Sequence, residues 1–399
     1  MANTILTHQM IAREGAAILK ENTFVKTINT GRSDEFKQSV NGYKKGDTVS
    51  IGVPPTPYVF DGASFAGGGS APGQTESKVS LTLDTQKHVP LTFTAKEKLL
   101  ELNDFKQRFL MPAMQALVST VQQDMLSKMY PQVSNIVGTW GSVPTTRKVY
   151  GQARGYLQNF MAPSDMRCVQ YSSDANLELV DTNSALFHRD SEINKEFSEG
   201  SVGNFAGFEF FENQSIPTHT NGAGASYVID GASQTGSTLA VKTGTGALTK
   251  GTVFTIADVN AVHPITGASL GQLRYFVVTA DYAGGAGNVS IYPAITPTAS
   301  GTVGTVDASP TDGAAVTVFG NASESARQNL AYHKNAFASA FAPLPVLAST
   351  EGYTASIQGV SVRVMTFGDG KEDMENTRID VLYASPVGVR PDHAVRITE

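Results

Sequence analysis

The chain has 399 residues, of which 41% are hydrophobic and only 17% charged, with a formal net charge of −6. Such a length suffices for two or three packed domains, and with an acidic balance nothing advertises tight nucleic-acid binding. A single cysteine, Cys168, excludes an intrachain disulfide and cannot alone build a thiolate metal site, which suits a reducing compartment.

The N-terminus, MANTILTHQMIAREGAAILK, has no basic run ahead of an apolar core, so it does not read as a signal peptide. No apolar stretch approaches the roughly 18 residues of a membrane span. The expectation is a soluble protein made in a cytoplasm. Residues 1–46 read as an arm with a short helix, in which Leu6, Met10, Ala17 and Ile18 fall at helical spacing and Thr4 is placed to cap. Its first 45 residues hold seven Lys/Arg against four acids, which leaves the rest of the chain near −9. The plain reading is a solvated surface helix; the sharper one is a docking arm for an acidic partner.

Residues 47–94 read as a long hairpin. YKKGDTVSIGVPP enters it, GASFAGGGSAPGQTES forms a Gly/Ser/Pro tip, and SKVSLTLDTQKHVPLTFT returns as one long alternating strand. A lone hairpin has too few neighbours to be stable, so it is expected to lie on another subunit. The strongest helix is LNDFKQRFLMPAMQALVSTVQQDML, where Met114, Leu117, Val118, Val121 and Met125 keep one face apolar. Pro112 suits a first turn, so a break is expected near residues 103–112. A further helix is expected at about 147–160, with Tyr150, Ala153 and Leu157 in step.

Composition shifts at Gly222. From there to Gly320 only eight of 99 residues are charged, none is Glu, and Gly and Thr supply 31. That is the signature of short strands and tight turns, an all-β module spanning residues 222–325. Few charges and many turns imply a compact barrel that folds on its own, inserted where the two chain ends of the host lie close. A helical pattern is expected to resume at ESARQNLAYHKNAFASAFAPL, and the tail returns to strands in VSVRVMTF, RIDVLYA and GVRPDHAVRIT. The host is thus residues 95–221 plus 326–399, and the overall class is α+β.

Candidate chemistry is sparse. GASLG matches G-x-S-x-G, but a strand follows Ser269 where a nucleophile elbow needs a helix, so a plain turn is expected. TGTGAL holds Gly244 and Gly246, but Thr249 occupies the third glycine position of a dinucleotide loop; a hairpin is expected. An EF-hand loop from Asp369 would need glycine where Met374 stands. The seven histidines are scattered, and His88 reads as a surface or cross-strand residue of the hairpin. Cys168 reads as a buried strand thiol and Trp140 as a packing anchor. No catalytic, metal or cofactor site is expected, which favours a structural or binding protein.

The order of parts resembles the tailed-phage major capsid proteins of the Hong Kong-ninety-seven fold. Within them it is most similar to the subgroup typified by the Salmonella phage P22 coat protein, which carries an inserted β-barrel. YKKGDTVSIGVPP resembles the family's extended loop and LNDFKQRFLMPAMQALVSTVQQDML its spine helix. EGSVGNFAGFEFFENQSIPTHTNG resembles the strands before the insertion, LTKGTVFTIADVNAVHPITGASLGQLRYFVVTA with NVSIYPAI the barrel, and VSVRVMTFGDGKEDMENTRIDVLYASPVGVRPDHAVRI the closing sheet. One departure is the short stretch before STLAVK, where the subgroup has a longer intersubunit loop.

The resemblance implies a non-enzymatic major capsid protein that assembles into pentamers and hexamers of an icosahedral shell in the bacterial host cytoplasm. It implies partners too: a scaffolding protein, a portal, a decoration protein, and double-stranded DNA enclosed without sequence-specific binding. Candidate contact residues are Phe60, Phe65, Gly67, Gly68 and Gly69 in the hairpin tip, and Met114, Leu117, Val121 and Met125 on the spine. Lys20, Lys26 and Arg32 are the candidates for the scaffold-docking arm. Core packing is the simpler account of the spine residues. The alternative reading is a glycan-binding or adhesin-type protein using the inserted β-domain.

Overall fold

Hydrophobic patterning of period near 3.6 produces four α-helices in the computed structural model, which describes residues 8–22, 24–31, 46–54, 76–94, 109, 111–183, 204–298, 304–357, 359–369 and 374–399. They are α1 (His8–Asn22), α2 (Met111–Met129), α3 (Arg147–Asn159) and α4 (Ser173–Asn183). The chain divides into two units: residues 1–51, 78–126 and 337–389 form one, and residues 52–77, 127–336 and 390–399 the other.

In the first unit a five-stranded sheet is built around Met374–Tyr383, which pairs antiparallel with Val360–Asp369 and with Thr85–Thr94. Helix α1 packs on the strands Glu351–Ile357 and Val360–Asp369 and buries Ile11, Ala12, Ala16, Ile18 and Leu19. It is therefore a docked helix with one face in the core, whereas the sequence suggested a solvated one; Met10, expected on the apolar face, is exposed. Pro112 stands in the first turn of α2, where its missing N–H costs nothing. Each large apolar side chain on the buried face of α2 contributes about 1.5–3 kcal/mol of transfer free energy.

The returning segment of the hairpin is not one strand. Ser77–Thr82 pairs with Thr48–Val53, and Thr85–Thr94 then leaves that ladder for Met374–Tyr383. Asp84 stands at the break, where its carboxylate accepts from the Ser385 backbone N–H and hydroxyl, at 2.9 and 2.5 Å. Among the described residues Thr85–Thr94 pairs with a single strand, and an edge strand of that kind tolerates Pro90, which has no N–H to donate. His88 is exposed on this strand, opposite Asp380.

Asp380 is fully buried yet charged. Its Oδ2 accepts from Arg363 Nε and Nη2 at 3.2 and 2.7 Å, and Oδ1 accepts from Arg378 Nε at 2.6 Å. Replacing it with Asn keeps the shape but leaves Arg363 without a counter-charge. Asp380→Asn is expected to cost about 2 kcal/mol of unfolding free energy, read from urea denaturation.

In the second unit a seven-stranded mixed sheet runs in the order Ile136–Gly138, Ala394–Thr398, Ser325–His333, Arg167–Tyr171, Phe208–Glu212, Asn204–Phe205, with Thr218–Thr220 pairing beside Ser325–His333. Helices α3 and α4 cover it through Tyr150, Ala153, Leu157, Ala175 and Leu179. Ser172 caps α4, its hydroxyl accepting from the Ala175 N–H at 3.1 Å. Residues 324–344 do not form the helix their pattern suggested. Ser325–His333 is instead a central strand, flanked by Ala394–Thr398 and Arg167–Tyr171. From Gln328 to His333 every position is buried, polar Gln328, Asn329 and His333 included, so the strand shows no period-2 alternation that would set it apart from a helix.

The same unit contains a six-stranded sheet ordered Val316–Val318, Val253–Val262, Ser269–Val278, Gly287–Ile295, Gly236–Lys242, Val228–Ile229. Val228 bridges Ala315, and the Val316 N–H donates to Tyr227 O at 2.9 Å, so the first and last strands meet and close a barrel. Tyr227, Leu239, Phe254, Ile256, Phe276 and Ile291 fill it. The chain enters and leaves this sheet side by side: Asn221 N–H donates to Glu324 O at 3.0 Å, and Ser323 N–H to Gly222 O at 3.3 Å.

Candidate functional site

The barrel and the seven-stranded sheet share a buried seam. Ile136, Val253 and Val277 form its apolar centre, with Trp140, Tyr275, Tyr292 and Phe319 packed around them. Trp140 is an anchor, edge-on to His219 and Phe319. Gly320 is required beside it: φ is +85°, and a Cβ there would lie 2.4 Å from the indole.

Two arginines stitch the seam. Arg396, in Ala394–Thr398, is completely buried and has no carboxylate partner among the described residues. Its Nε and Nη2 donate to Val133 O at 2.9 and 2.7 Å, and its Nη1 donates to Gly251 O at 2.8 Å. Its guanidinium carbon sits 5.6 Å from the centre of the Tyr130 ring. Burial pulls the guanidinium below the usual arginine range. Arg274, on the barrel strand Ser269–Val278, donates through Nη2 to Asp392 at 2.5 Å and stacks 4.4 Å from the centre of Phe160.

Three histidines lie in this unit out of water. His219 sits beside Tyr130 Oη and Thr252 Oγ1, each at 3.4 Å. Burial first, and the Arg396 charge second, push His219 down to about 4. Burial and then Arg390 push His393 to about 4 as well, and burial lowers His333, whose ring centre is 6.4 Å from that of His393. A neutral His219 is what a site next to an uncompensated guanidinium requires.

The strings that suggested chemistry resolve into structure. Ser269 opens a barrel strand, its hydroxyl donating to Asp307 at 3.2 Å. Cys168 is buried in Arg167–Tyr171 with Sγ 3.6 Å from Tyr332 O. TGTGAL is not a hairpin between paired strands, because Gly236–Lys242 pairs with Gly287–Ile295 and Val228–Ile229. Gly244 there meets Tyr227, 2.0 Å from where a Cβ would stand. Among the described residues no group of three or more His, Cys, Asp or Glu is placed to hold a metal, and no helix is long and apolar enough to cross a membrane.

Of the candidate contact residues, Phe60, Phe65, Gly67, Gly68, Gly69 and Arg32 lie outside the described residues. Lys20 belongs to α1, and Lys26 is exposed on the short 3-10 turn Phe24–Thr27. Met114, Leu117, Val121 and Met125 are all buried on one face of α2, while Gln115, Ser119 and Gln123 face outward. Sequence reasoning missed Arg274, Arg396, Asp392 and His219. The signal for Arg396 was a charge inside an alternating apolar strand, AVRIT.

The comparison that decides the family is a match of residues 55–397 to the family described as P22 coat protein, gene protein 5. The chain belongs to the P22 coat protein family. Its role is that of a capsid coat protein, a component of the phage particle that assembles with its own copies into a shell. Among solved structures it is similar to one from Mycobacterium phage Che8, at 14% identity over 94% of this chain and 90% of that one, with a TM-score of 0.48. It is also similar to the capsid of cyanophage P-SCSP1u, at 10% identity over 89% and 84%, TM-score 0.43. The CUS-3 coat protein I-domain matches 24% of this coat protein and 94% of its own chain at 29% identity, TM-score 0.20. No curated protein matches the sequence.

Proposed function

We propose that the protein is the major capsid protein of a tailed phage, assembling in the host cytoplasm with a scaffolding protein into an icosahedral shell around double-stranded DNA. The family match over residues 55–397 carries this reading. In it, residues 47–94 reach a neighbouring subunit, α2 is the spine, residues 222–325 are an inserted barrel, and Lys20, Lys26 and Arg32 dock the scaffold. The net charge of −6 supports a container that releases its DNA, since phosphate binding scales with the number of Lys/Arg contacts. Weak individual contacts suffice, because each subunit engages several neighbours at once. The protein acts by assembly, without catalysis, and portal and decoration proteins join the finished shell.

The test is to express the full chain with and without a candidate scaffolding protein and to follow the products by sedimentation and electron microscopy. Closed shells, or rings of five and six, are expected. A discrete monomer under both conditions would refute the proposal.

A further inference from the structure

Helices α3 and α4 stand on one core but carry opposite charge. Helix α3, RKVYGQARGYLQN, has Arg147, Lys148 and Arg154 and no acid; α4, SDANLELVDTN, has Asp174, Glu178 and Asp181 and no base. On α4, Asp174, Leu177, Glu178 and Asp181 follow the spacing i, i+3, i+4, i+7, so they form one stripe. Leu177 lies within it at 69% exposure, the highest of any large hydrophobic residue described. Asp174 is engaged by Arg327, whereas Glu178 and Asp181 have no ion pair among the described residues. The same holds for Lys148 and Arg154 on α3.

The outer face of α3 has an oddity that its own unit does not explain. Gly151 and Gly155 are exposed, one turn apart, and a Cβ at either would meet no atom within 4 Å. A glycine inside a helix is unfavourable relative to alanine, and here no internal packing demands one. Two bare turns flanked by Arg147, Lys148 and Arg154 make a shallow, basic seat. A groove of about 370 Å³ opens beside Gly155, walled by Gln152, Tyr156, Tyr275 and Phe319.

We propose that α4 of one copy lies across α3 of a neighbouring copy, with Leu177 seated on Gly151 and Gly155 and its acids on the basic rim. The proposal rests on the coat-protein reading. The occupant is a second copy of this chain, because each chain carries both halves and the halves are complementary in charge and relief. Two different patches in contact make a head-to-tail interface, which closes into a ring when the rotation permits. The charged rim sets orientation and encounter rate, and the leucine excludes water at the centre.

The test uses the full-length protein under conditions where the wild type forms shells, with the concentration of unassembled subunit read by sedimentation. Arg154→Glu and Asp181→Arg are each expected to raise that concentration about fivefold, and the two together to return it to within about twofold of wild type. Gly155→Ala is expected to raise the melting temperature of the unassembled subunit, since alanine favours the helix, while weakening assembly severalfold. A merely structural glycine would not separate those two readouts. Loss of assembly by Arg154→Glu without rescue by Asp181→Arg would assign α3 to another occupant, such as residues 55–75 of a neighbour, and would overturn the contact. So would single variants that assemble like wild type. Failure of the wild type itself to form shells would instead remove the coat-protein reading and this contact together.

Discussion

Lowering the pH from 7 to 4 is expected to remove about 6 kcal/mol of stability from the unit that holds the barrel, about 3 kcal/mol from each of two histidines. His219 and His393 are 3% and 8% exposed, and each is held at about 4 in the folded protein against an ordinary value of 6.5. Between pH 6.5 and 4 the unfolded chain binds these protons and the folded one does not. Stability therefore falls as pH falls through that window and is fully present above 6.5. The neighbouring charges mostly act in the same direction: Arg396 faces His219, and Arg390 and His333 face His393, while Asn221 opposes at His219 and Asp392 and the Phe160 backbone oppose at His393. A loss of that size is comparable with the whole stability of a domain. Denaturant melts at half-unit pH steps would measure it. Replacing both histidines by Gln should flatten the slope of unfolding free energy against pH by nearly two protons near pH 5; an unchanged slope would show that other groups drive acid unfolding.

The sequence made the elements legible where one face meets water and hid them where none does. Helices α2 and α3 were readable from Met114, Leu117, Val121, Met125 and from Tyr150, Ala153, Leu157, because each has a polar back. Ser325–His333 was not, because both its faces are covered. The split of the hairpin's return strand coincides with a long-range bond pair, Asp84 to Ser385, which no local pattern can announce. The barrel was visible as a composition, few charges with many Gly and Thr, since turns need those residues wherever the strands pair. Its seam was invisible for the opposite reason: Arg274 and Asp392 are 118 residues apart, and a lone charge in a β-rich string reads as surface. The glycines of α3 were present in the sequence, yet only the empty space around them gives them meaning.

Arg396→Ala is expected to cost about 4 kcal/mol, the second large effect. The side chain supplies three hydrogen bonds to two carbonyl oxygens, Val133 O and Gly251 O, neither of which reaches bulk water through it. Truncation orphans both acceptors and opens a void under the Tyr130 ring. Arg396→Met separates charge from volume: it fills the space and removes the buried charge, but still leaves the carbonyls without donors. An intermediate loss of about 2 kcal/mol is expected for it. A methionine variant as stable as wild type would mean that the desolvation of the guanidinium cancels everything its bonds contribute. The same variant reports on His219, whose depressed value has Arg396 as its second cause. With that charge gone, an NMR titration should find His219 above about 4 but still below 6.5, because burial, the larger cause, remains. The gap between folded and unfolded values narrows, so Arg396→Met should start less stable at neutral pH yet lose less on acidification. Parallel pH curves for the two proteins would show that Arg396 and His219 are not coupled.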